Sequence, residues 1–241
     1  TNLGTKGFGQ SLDFDGVNDR VDLPNAVASG MSNRSAFTIE YWYKGANPSS
    51  VVRIQDAGGY IVAGWGGGDP KFIISNDGGS GSGLTIASAD IEDNRWHHVA
   101  MVWQSNTVNG FKVYLDGKLY ASRNSANVTT PVISSGAALA YYAAGNNEYM
   151  TGQLDEVRIW TTARTASELR SNMGRSLTGD ESGLLAYYHF DNESGTALTD
   201  QSGHGYTGTL TNMDPATDWV TSTAVNAWAG NNTDWNDAVN W

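Results

Sequence analysis

The sequence predicts an all-β domain built from antiparallel sheets, and two observations within residues 96–122 carry this prediction. Apolar residues occupy every second position in two runs, Val99 to Trp103 and Phe111 to Leu115. An alternation of period two is typical of strands in a sheet with one buried face. The second run ends at Asp116-Gly117, a dipeptide that favours a two-residue type I′ hairpin turn. Together these residues predict a three-stranded antiparallel meander.

The other strands are predicted in chain order from the same alternation and from clusters of β-branched and aromatic residues. They lie at residues 11–15, 21–23, 37–44, 51–54, 60–65, 71–75, 84–86, 137–144, 152–160 and 184–190. One helix is predicted after residue 165, because Thr165 and Glu168 match a capping box and apolar residues follow at helical spacing. Residues 191–209 are predicted to form a loop rich in turns.

The composition restricts the classes of function. The chain has 25 acidic and 14 basic residues among 241 and a net charge of −11. This balance argues against nucleic acid as a partner, because phosphate binding needs clustered Lys and Arg. Cysteine is absent, which excludes disulfides, thiolate metal sites and thiol catalysis. No apolar run reaches the roughly 20 residues of a membrane helix, so membrane insertion is not expected.

The composition changes after Thr223. The segment AWAGNNTDWNDAVNW contains three Trp among several Asn and Asp. We therefore expect residues 1–222 to form one domain and residues 223–241 to be a linker or the start of a following module. The first residues lack the charged start and apolar core of a signal peptide, so the chain is expected to be a module of a longer protein.

Several segments that together cover most of residues 8–222 are distinctive, namely SLDFDGVNDRVDLP, FTIEYWYK, WHHVAMVW with KVYLDGKL, GQLDEVRIWTTARTASELR and GLLAYYHFDNESGTALTDQSGHGYTGTL. They resemble the laminin-G-like and pentraxin-like jelly-roll modules of the concanavalin A-like lectin/glucanase superfamily. The resemblance implies a jelly roll in which two antiparallel sheets pack face to face. With the predicted helix, the expected fold is a two-sheet sandwich with one short helix. The C-terminal segment resembles stretches between modules of large secreted bacterial surface proteins.

An early acidic turn is the candidate metal site. Residues 15–19, DGVND, place carboxylate and carbonyl oxygens around one tight turn, and calcium takes about 6–8 oxygen ligands. The resemblance implies a further ligand from the late strand GQLDEVRIW, namely Asp155. Asp15 and Asp155 would then supply carboxylates, Gly16 and Asn18 would supply carbonyl oxygens, and calcium would be a structural cofactor. An ordinary Asx turn with an unrelated strand Asp is the alternative.

Aromatic residues supply candidate contacts to sugar. The chain contains nine Trp and eleven Tyr, and flat rings suit the apolar face of a pyranose. Most alternating aromatic residues of a sandwich belong to its core, and this is expected of Trp42, Trp103 and Trp160. The candidate ligand-binding residues are those beside glycines or in a polar loop, namely Trp65, Asn146, Asn147, Glu148 and Tyr149.

No catalytic residues are predicted. The sequence has no carboxylate pair at i and i+2 on an evident cleft strand, no HExxH motif and no GxSxG nucleophile elbow. We therefore predict a non-catalytic, calcium-stabilised carbohydrate-binding or adhesion module of a secreted or cell-surface bacterial protein. Its partner would be a glycan or polysaccharide. Two alternatives stay open, a structural or protein-binding spacer and a glycoside hydrolase with two carboxylates about 5–10 Å apart in an open groove.

Overall fold

The computed structural model describes residues 9–66, 68–77, 83–142, 148–191 and 194–224. The strands are β1 (Gln10–Asp15), β2 (Arg20–Leu23), β3 (Ala36–Asn47), β4 (Val52–Asp56), β5 (Gly59–Trp65), β6 (Lys71–Ile74), β7 (Leu84–Thr85), β8 (His97–Gln104), β9 (Phe111–Leu115), β10 (Lys118–Arg123), β11 (Ala137–Leu139), β12 (Tyr141–Tyr142), β13 (Glu148–Tyr149), β14 (Thr151–Trp160), β15 (Leu184–Tyr188), β16 (Ala197–Leu198), β17 (Gly208–Thr211) and β18 (Trp219–Thr221). The helices are α1 (Asn25–Met31) and α2 (Ala166–Met173), with a 3₁₀ turn at Ser88–Asp90.

Two antiparallel sheets contain most of these strands. The first sheet has the order β10-β9-β8-β3-β14-β1-β18, and β15 also pairs with β14. The second sheet has the order β16-β17-β2-β11-β4-β5-β6-β7, and β12 with β13 forms a separate ribbon. The chain crosses between the sheets repeatedly, for example from β1 to β2 and from β2 to β3. This confirms the predicted antiparallel two-sheet sandwich of the jelly-roll type.

The main core lies between the two sheets. It combines inward-facing side chains of both, such as Leu12 and Ile39 from the first sheet and Val21 and Ile54 from the second. Trp103 is fully buried in this core, as predicted.

Trp42 and Trp160 are also fully buried, but they lie in separate clusters outside the main core. Trp42 packs with Met173 of α2, and its Nε1 donates to the Met173 carbonyl at 2.8 Å. The outer face of the first sheet is therefore covered by α2 and the chain that follows it.

The predicted capping box is present at the start of α2. The Glu168 amide donates to Thr165 Oγ1 at 3.2 Å, and the Thr165 amide donates to Glu168 Oε2 at 2.7 Å. The prediction of a single helix is wrong, because α1 also forms. That helix follows Pro24 and has no side-chain cap, so no capping box marks its start.

The predicted hairpin turn at Asp116-Gly117 is present. Asp116 and Gly117 have φ of 50° and 70°, as a type I′ hairpin requires. The predicted strand at residues 137–144 is instead divided between β11 and β12, with Ala140 at a φ of 62° between them. The predicted loop at residues 191–209 contains β16 and the start of β17, which are too short within that range to show an alternation.

The two residues after the predicted boundary at residue 222 contact the domain. Thr223 Oγ1 accepts a hydrogen bond from Trp96 Nε1 at 3.0 Å, and Ala224 is buried beside Trp42 and Trp96. Residues 225–241 lie outside the described part of the chain, so the following module stays a prediction. Within the described ranges, no helix is long and apolar enough to span a membrane.

Candidate ligand-binding site

The predicted calcium ligands do not come together. Asp15 ends β1 opposite Thr151 of β14, whereas Asp155 lies four residues further along β14. At about 3.3 Å per residue, the two positions are separated by about 13 Å along the strand. Asp155 is fully buried, and its Oδ2 accepts a hydrogen bond from Ser222 Oγ at 2.6 Å. The predicted site that contains both Asp15 and Asp155 is therefore wrong.

The turn after Asp15 has the hydrogen bonds of an Asx turn. Asp15 Oδ1 accepts from the amides of Val17 and Asn18 at 2.7 and 3.2 Å. The Asn18 carbonyl accepts from Asn212 Nδ2 at 3.1 Å. No group of three or more His, Asp or Glu side chains in the described ranges is arranged to hold a metal ion. Calcium binding at Asp15, Gly16 and Asn18 stays a prediction.

The outer face of the second sheet carries the most distinctive arrangement of polar and aromatic side chains. On β4, Arg53 and Gln55 alternate with residues of the main core, so both side chains point away from the first sheet. The strand register places Asp22 of β2, Ala138 of β11 and Arg53 of β4 side by side. Because Ala138 is small, it leaves a hollow between the two charged side chains.

This hollow is a cavity of about 280 Å³. Its volume is just below the roughly 300–1,000 Å³ that is usual for ligand pockets. We call it the Arg53 cavity, and it is lined by Asp22, Arg53, Gln55, Asp56, Gly136, Ala137, Ala138, Tyr141 and Tyr142.

Aromatic rings surround the Arg53 guanidinium. Its Cζ lies 3.4 Å from the ring centroid of Tyr142 and 5.4 Å from that of Tyr60. The ring centroid of Trp65 is 6.0 Å away. Separations up to about 6 Å are those of cation–π contacts. The rings are half-buried, so each leaves part of its surface available to a ligand.

The β12–β13 ribbon extends this aromatic surface. It pairs Tyr141 with Tyr149 and Tyr142 with Glu148, and the rings of Tyr141 and Tyr149 stack with centroids 5.1 Å apart. Tyr141 and Tyr142 of β12 line the cavity, and the residues of β13 lie directly beside them.

The structure brings three of the predicted ligand-binding residues onto one surface. Trp65 approaches Arg53 from β5, and Glu148 and Tyr149 pair with the tyrosines that line the cavity. Asn146 and Asn147 lie outside the described residues. Sequence reasoning missed Arg53, although a lone Arg at an outward position of the apolar run VVRI was a usable signal.

Two buried N–H donors of this surface, Arg53 Nη1 and Trp65 Nε1, have no hydrogen-bond partner among the described residues. Arg53 is only 5% exposed, and its Nε donates to the neutral Oε1 of Gln55 at 2.6 Å. None of the ion pairs formed by the described residues includes Arg53. Burial lowers the pKa of Arg53 to about 10. Because an unsatisfied buried donor costs about 1–3 kcal/mol, a ligand that supplies an acceptor would be stabilised here.

A bulge in β14 places two adjacent acidic residues on the outer side of the first sheet. Glu156 has a φ of 52°, and Leu154 and Val157 both point into the main core although they are three residues apart. Strict alternation would place Asp155 and Glu156 on opposite sides of the sheet, but the bulge adds one residue to the strand and places both on the outer side.

The carboxylates of this region are buried and have partners. Glu40 Oε1 accepts from Trp160 Nε1 at 2.8 Å, and Glu40 Oε2 contacts His98 Nε2 at 3.1 Å. Glu156 forms an ion pair with Arg158 and accepts from the Tyr187 hydroxyl at 2.8 Å. Both carboxylates lie in the covered outer layer rather than in a groove.

A larger and more open cavity, of about 1030 Å³, lies at the β10 edge of the first sheet. Lys118, Tyr120 and Trp96 contribute to its lining. Its aromatic donors have partners, because Trp96 Nε1 donates to Thr223 and the Tyr120 hydroxyl donates to Asp90 at 2.7 Å. The unpartnered donors of Arg53 and Trp65 distinguish the Arg53 cavity from this one.

Comparison with solved structures supports the fold. A protein from Bacteroides ovatus, described as a candidate carbohydrate-binding protein, aligns with a TM-score of 0.66 at 18% identity over 90% of this chain. The chain spans 60% of the length of that protein. A pentraxin from Limulus polyphemus aligns at 14% identity with a TM-score of 0.47, over 67% of this chain and 80% of its own. Domains LG4-5 of the mouse laminin α1 chain align at 15% identity with a TM-score of 0.47, over 65% of this chain and 44% of their own.

The sequence itself also matches a known family. None of the curated proteins compared with the chain matches it. A laminin-G family model, described as the concanavalin A-like lectin/glucanases superfamily, matches residues 15–170. This match covers more than half of the chain and includes β2 to β14. The chain therefore belongs to the concanavalin A-like lectin/glucanase superfamily.

Proposed function

We propose that this chain is a non-catalytic carbohydrate-binding module and that the Arg53 cavity, with the rings beside it, is its glycan-binding surface. The observation that carries the proposal is the combination of half-buried rings and unpartnered donors on one outer sheet face. Flat rings suit the apolar face of a sugar, and a few convergent polar groups suit its hydroxyls. The similar fold of the Bacteroides ovatus protein, described as a candidate carbohydrate-binding protein, is consistent with this class of ligand. We place the module outside the cell, where polysaccharides are encountered.

The carboxylates support binding rather than cleavage. Hydrolysis of a glycosidic bond needs two accessible carboxyl groups, one of which is protonated to act as the acid. Glu40 and Glu156 are buried with partners of their own. Asp56 lines the Arg53 cavity, but hydrogen bonds from the Ser134 and Gly58 amides lower its pKa. It is therefore ionised near neutral pH and is not suited to donate a proton.

Affinity electrophoresis through gels that contain single polysaccharides, preceded by a glycan array to choose them, tests the proposal. The wild-type chain is expected to be retarded by at least one polysaccharide. Trp65→Ala and Tyr142→Ala are expected to weaken binding about tenfold each, equivalent to about 1.4 kcal/mol, because each removes a stacking ring. Tyr120→Ala is the matched control, since it removes an aromatic ring from the larger cavity.

Two outcomes would overturn the proposal. The first is a wild-type chain that no polysaccharide retards. The second is a loss of binding in Tyr120→Ala while Trp65→Ala and Tyr142→Ala bind normally, which would move the surface to the β10 edge.

A further inference from the structure

We infer that the Arg53 cavity selects sugars that carry a carboxylate, such as uronic or sialic acids. This inference rests on the proposed glycan-binding function and names the class of glycan. Its basis is a buried guanidinium that has an unpartnered donor and forms no ion pair among the described residues, at the wall of a cavity of sugar size.

Arg53 lacks what buried arginines normally have. A buried charge is costly unless an opposite charge and further hydrogen bonds compensate it. Here the Nε donates to an uncharged amide oxygen, and the Nη1 has no acceptor among the described residues. The guanidinium stays protonated at neutral pH even though burial lowers its pKa to about 10. A ligand carboxylate would supply both the missing acceptor and the missing charge, and arginine binds carboxylates through two parallel hydrogen bonds.

Asp22, on the opposite side of the hollow, does not supply that charge. Its Oδ1 accepts from Arg20 Nε at 2.9 Å, and its Oδ2 accepts from Thr211 Oγ1 at 2.7 Å. Both oxygens are therefore engaged by residues other than Arg53, and Ala138 separates Asp22 from Arg53. A ligand carboxylate would be repelled by Asp22 and attracted by Arg53, which orients an acidic sugar across the hollow.

The other two acidic neighbours are also engaged elsewhere. Asp56 accepts from the amides of Gly58 and Ser134, each at 2.7 Å. Glu148 Oε2 accepts from Ser49 Oγ at 3.3 Å, and Glu148 acts on Arg53 only as a nearby charge. The native carboxylates around the cavity thus leave the Arg53 donors free.

Two further cations lie along the same surface. Arg20 is 4.9 Å from the ring centroid of Tyr141, and Lys71 is 5.7 Å from that of Trp65. With Arg53 they place three cations beside aromatic rings, although Arg20 is already paired with Asp22, on a chain whose net charge is −11. A chain of acidic sugars would meet these cations in succession, whereas the rest of the protein would repel it.

The experiment compares matched glycans with and without the carboxylate. Polygalacturonate and polysialic acid are each run in affinity electrophoresis beside their carboxyl-reduced forms, which keep the backbone and lose the charge. Dextran sulfate is included to detect recognition of negative charge alone. The wild-type chain is expected to bind at least one carboxylated polymer about tenfold more tightly than its reduced form. The arm that responds distinguishes uronic from sialic acid.

The variants assign this preference to one residue. Arg53→Gln is expected to reduce binding of the carboxylated polymer to that of the reduced form, and Arg53→Lys is expected to retain part of the preference, because lysine keeps the charge but loses the planar fork. Arg95→Gln is the control for the change in net charge, since Arg95 is largely exposed at the larger cavity. Thermal melting checks that each variant is folded. Should Arg53→Gln not fold, competition of the wild-type complex by free galacturonate, N-acetylneuraminate and galactose provides the same comparison.

The outcomes separate this inference from the proposed function. Equal or tighter binding of the reduced polymers, or of neutral glycans alone, would overturn the preference and leave glycan binding in place. Equal binding of dextran sulfate would overturn the selection of carboxylates, and an unchanged preference in a folded Arg53→Gln would overturn the role of Arg53. If no polysaccharide of any kind is bound, the proposed function fails and the inference fails with it.

Discussion

Arg158 lies on the outer face of the first sheet and Arg53 on the outer face of the second, and both are almost fully buried, at 1% and 5% exposure. Arg158 donates to the carbonyls of Asn172 and Arg175 at 2.9 and 2.6 Å and pairs with Glu156. Arg53 has one hydrogen bond to a neutral amide and three rings. The difference is consistent with a structural role for Arg158 and with the proposed ligand-binding role of Arg53.

The largest expected effect is the loss of stability in Arg158→Met. The substitution leaves Glu156 and Glu40 buried beside an apolar side chain, and the removal of one partner from a buried ion pair costs about 3–5 kcal/mol. Urea unfolding measures this change. The double variant Glu156→Gln/Arg158→Met is expected to recover part of the loss, because the two residues act as a pair. A single variant as stable as the wild type would show that the Arg158 hydrogen bonds do not hold the segment after α2 in place.

The same substitution at the other arginine is expected to leave stability almost unchanged. Arg53→Met removes a buried charge that forms no ion pair with the described residues, so the free energy of unfolding is expected to stay within about 1 kcal/mol of the wild type or to rise. Glycan binding, measured by affinity electrophoresis, is expected to be lost in the same variant. If Arg53→Met unfolds the domain as severely as Arg158→Met, the proposed distinction between the two arginines disappears.

A structural feature could be predicted from the sequence when residues close together in the chain specify it. The Asp116-Gly117 hairpin and the Thr165–Glu168 capping box were predicted correctly, because neighbouring residues specify them. The Arg53 cavity was not predicted as a unit, since its residues come from β2, β4, β11 and β12 and only the sheet register brings them together. The bulge at Glu156 could not be predicted either, because no residue type in GQLDEVRIW indicates where the strand contains an extra residue.

A smaller, pH-dependent effect on the free energy of unfolding is expected at His97, which is partly buried and contacts Asp93 and Asp116. Burial alone would lower the pKa of His97, but hydrogen bonds and charges from Asp116 and Asp93 outweigh it and raise that pKa. A raised pKa in the folded state means that the contribution to stability is complete below about pH 6.5, the usual value for His, and is lost as pH rises through the folded pKa.

Unfolding curves at several pH values between about 5 and 9 test this expectation. His97→Gln is expected to flatten the decline in stability of the wild type above neutral pH. His204→Gln is the control, since His204 contacts Ser202 and stacks on Tyr206 without an Asp or Glu partner among the described residues. An identical pH profile for His97→Gln and the wild type would exclude a contribution from the charged pair.

The smallest expected effect concerns calcium at the Asp15 turn, whose carboxylate already has two backbone partners. A metal ion bound only to the folded chain would raise its melting temperature, and a chelator would lower it again. Asp15→Asn should remove the difference between calcium and chelator, whereas Asp155→Asn should keep it, because Asp155 lies about 13 Å further along β14. Asp155→Asn is therefore the control, because the family resemblance implied that Asp155 is a calcium ligand. Melting curves of the wild type that coincide with and without chelator would remove calcium from this fold, and the Asx turn would then suffice to explain the conformation of residues 15–19.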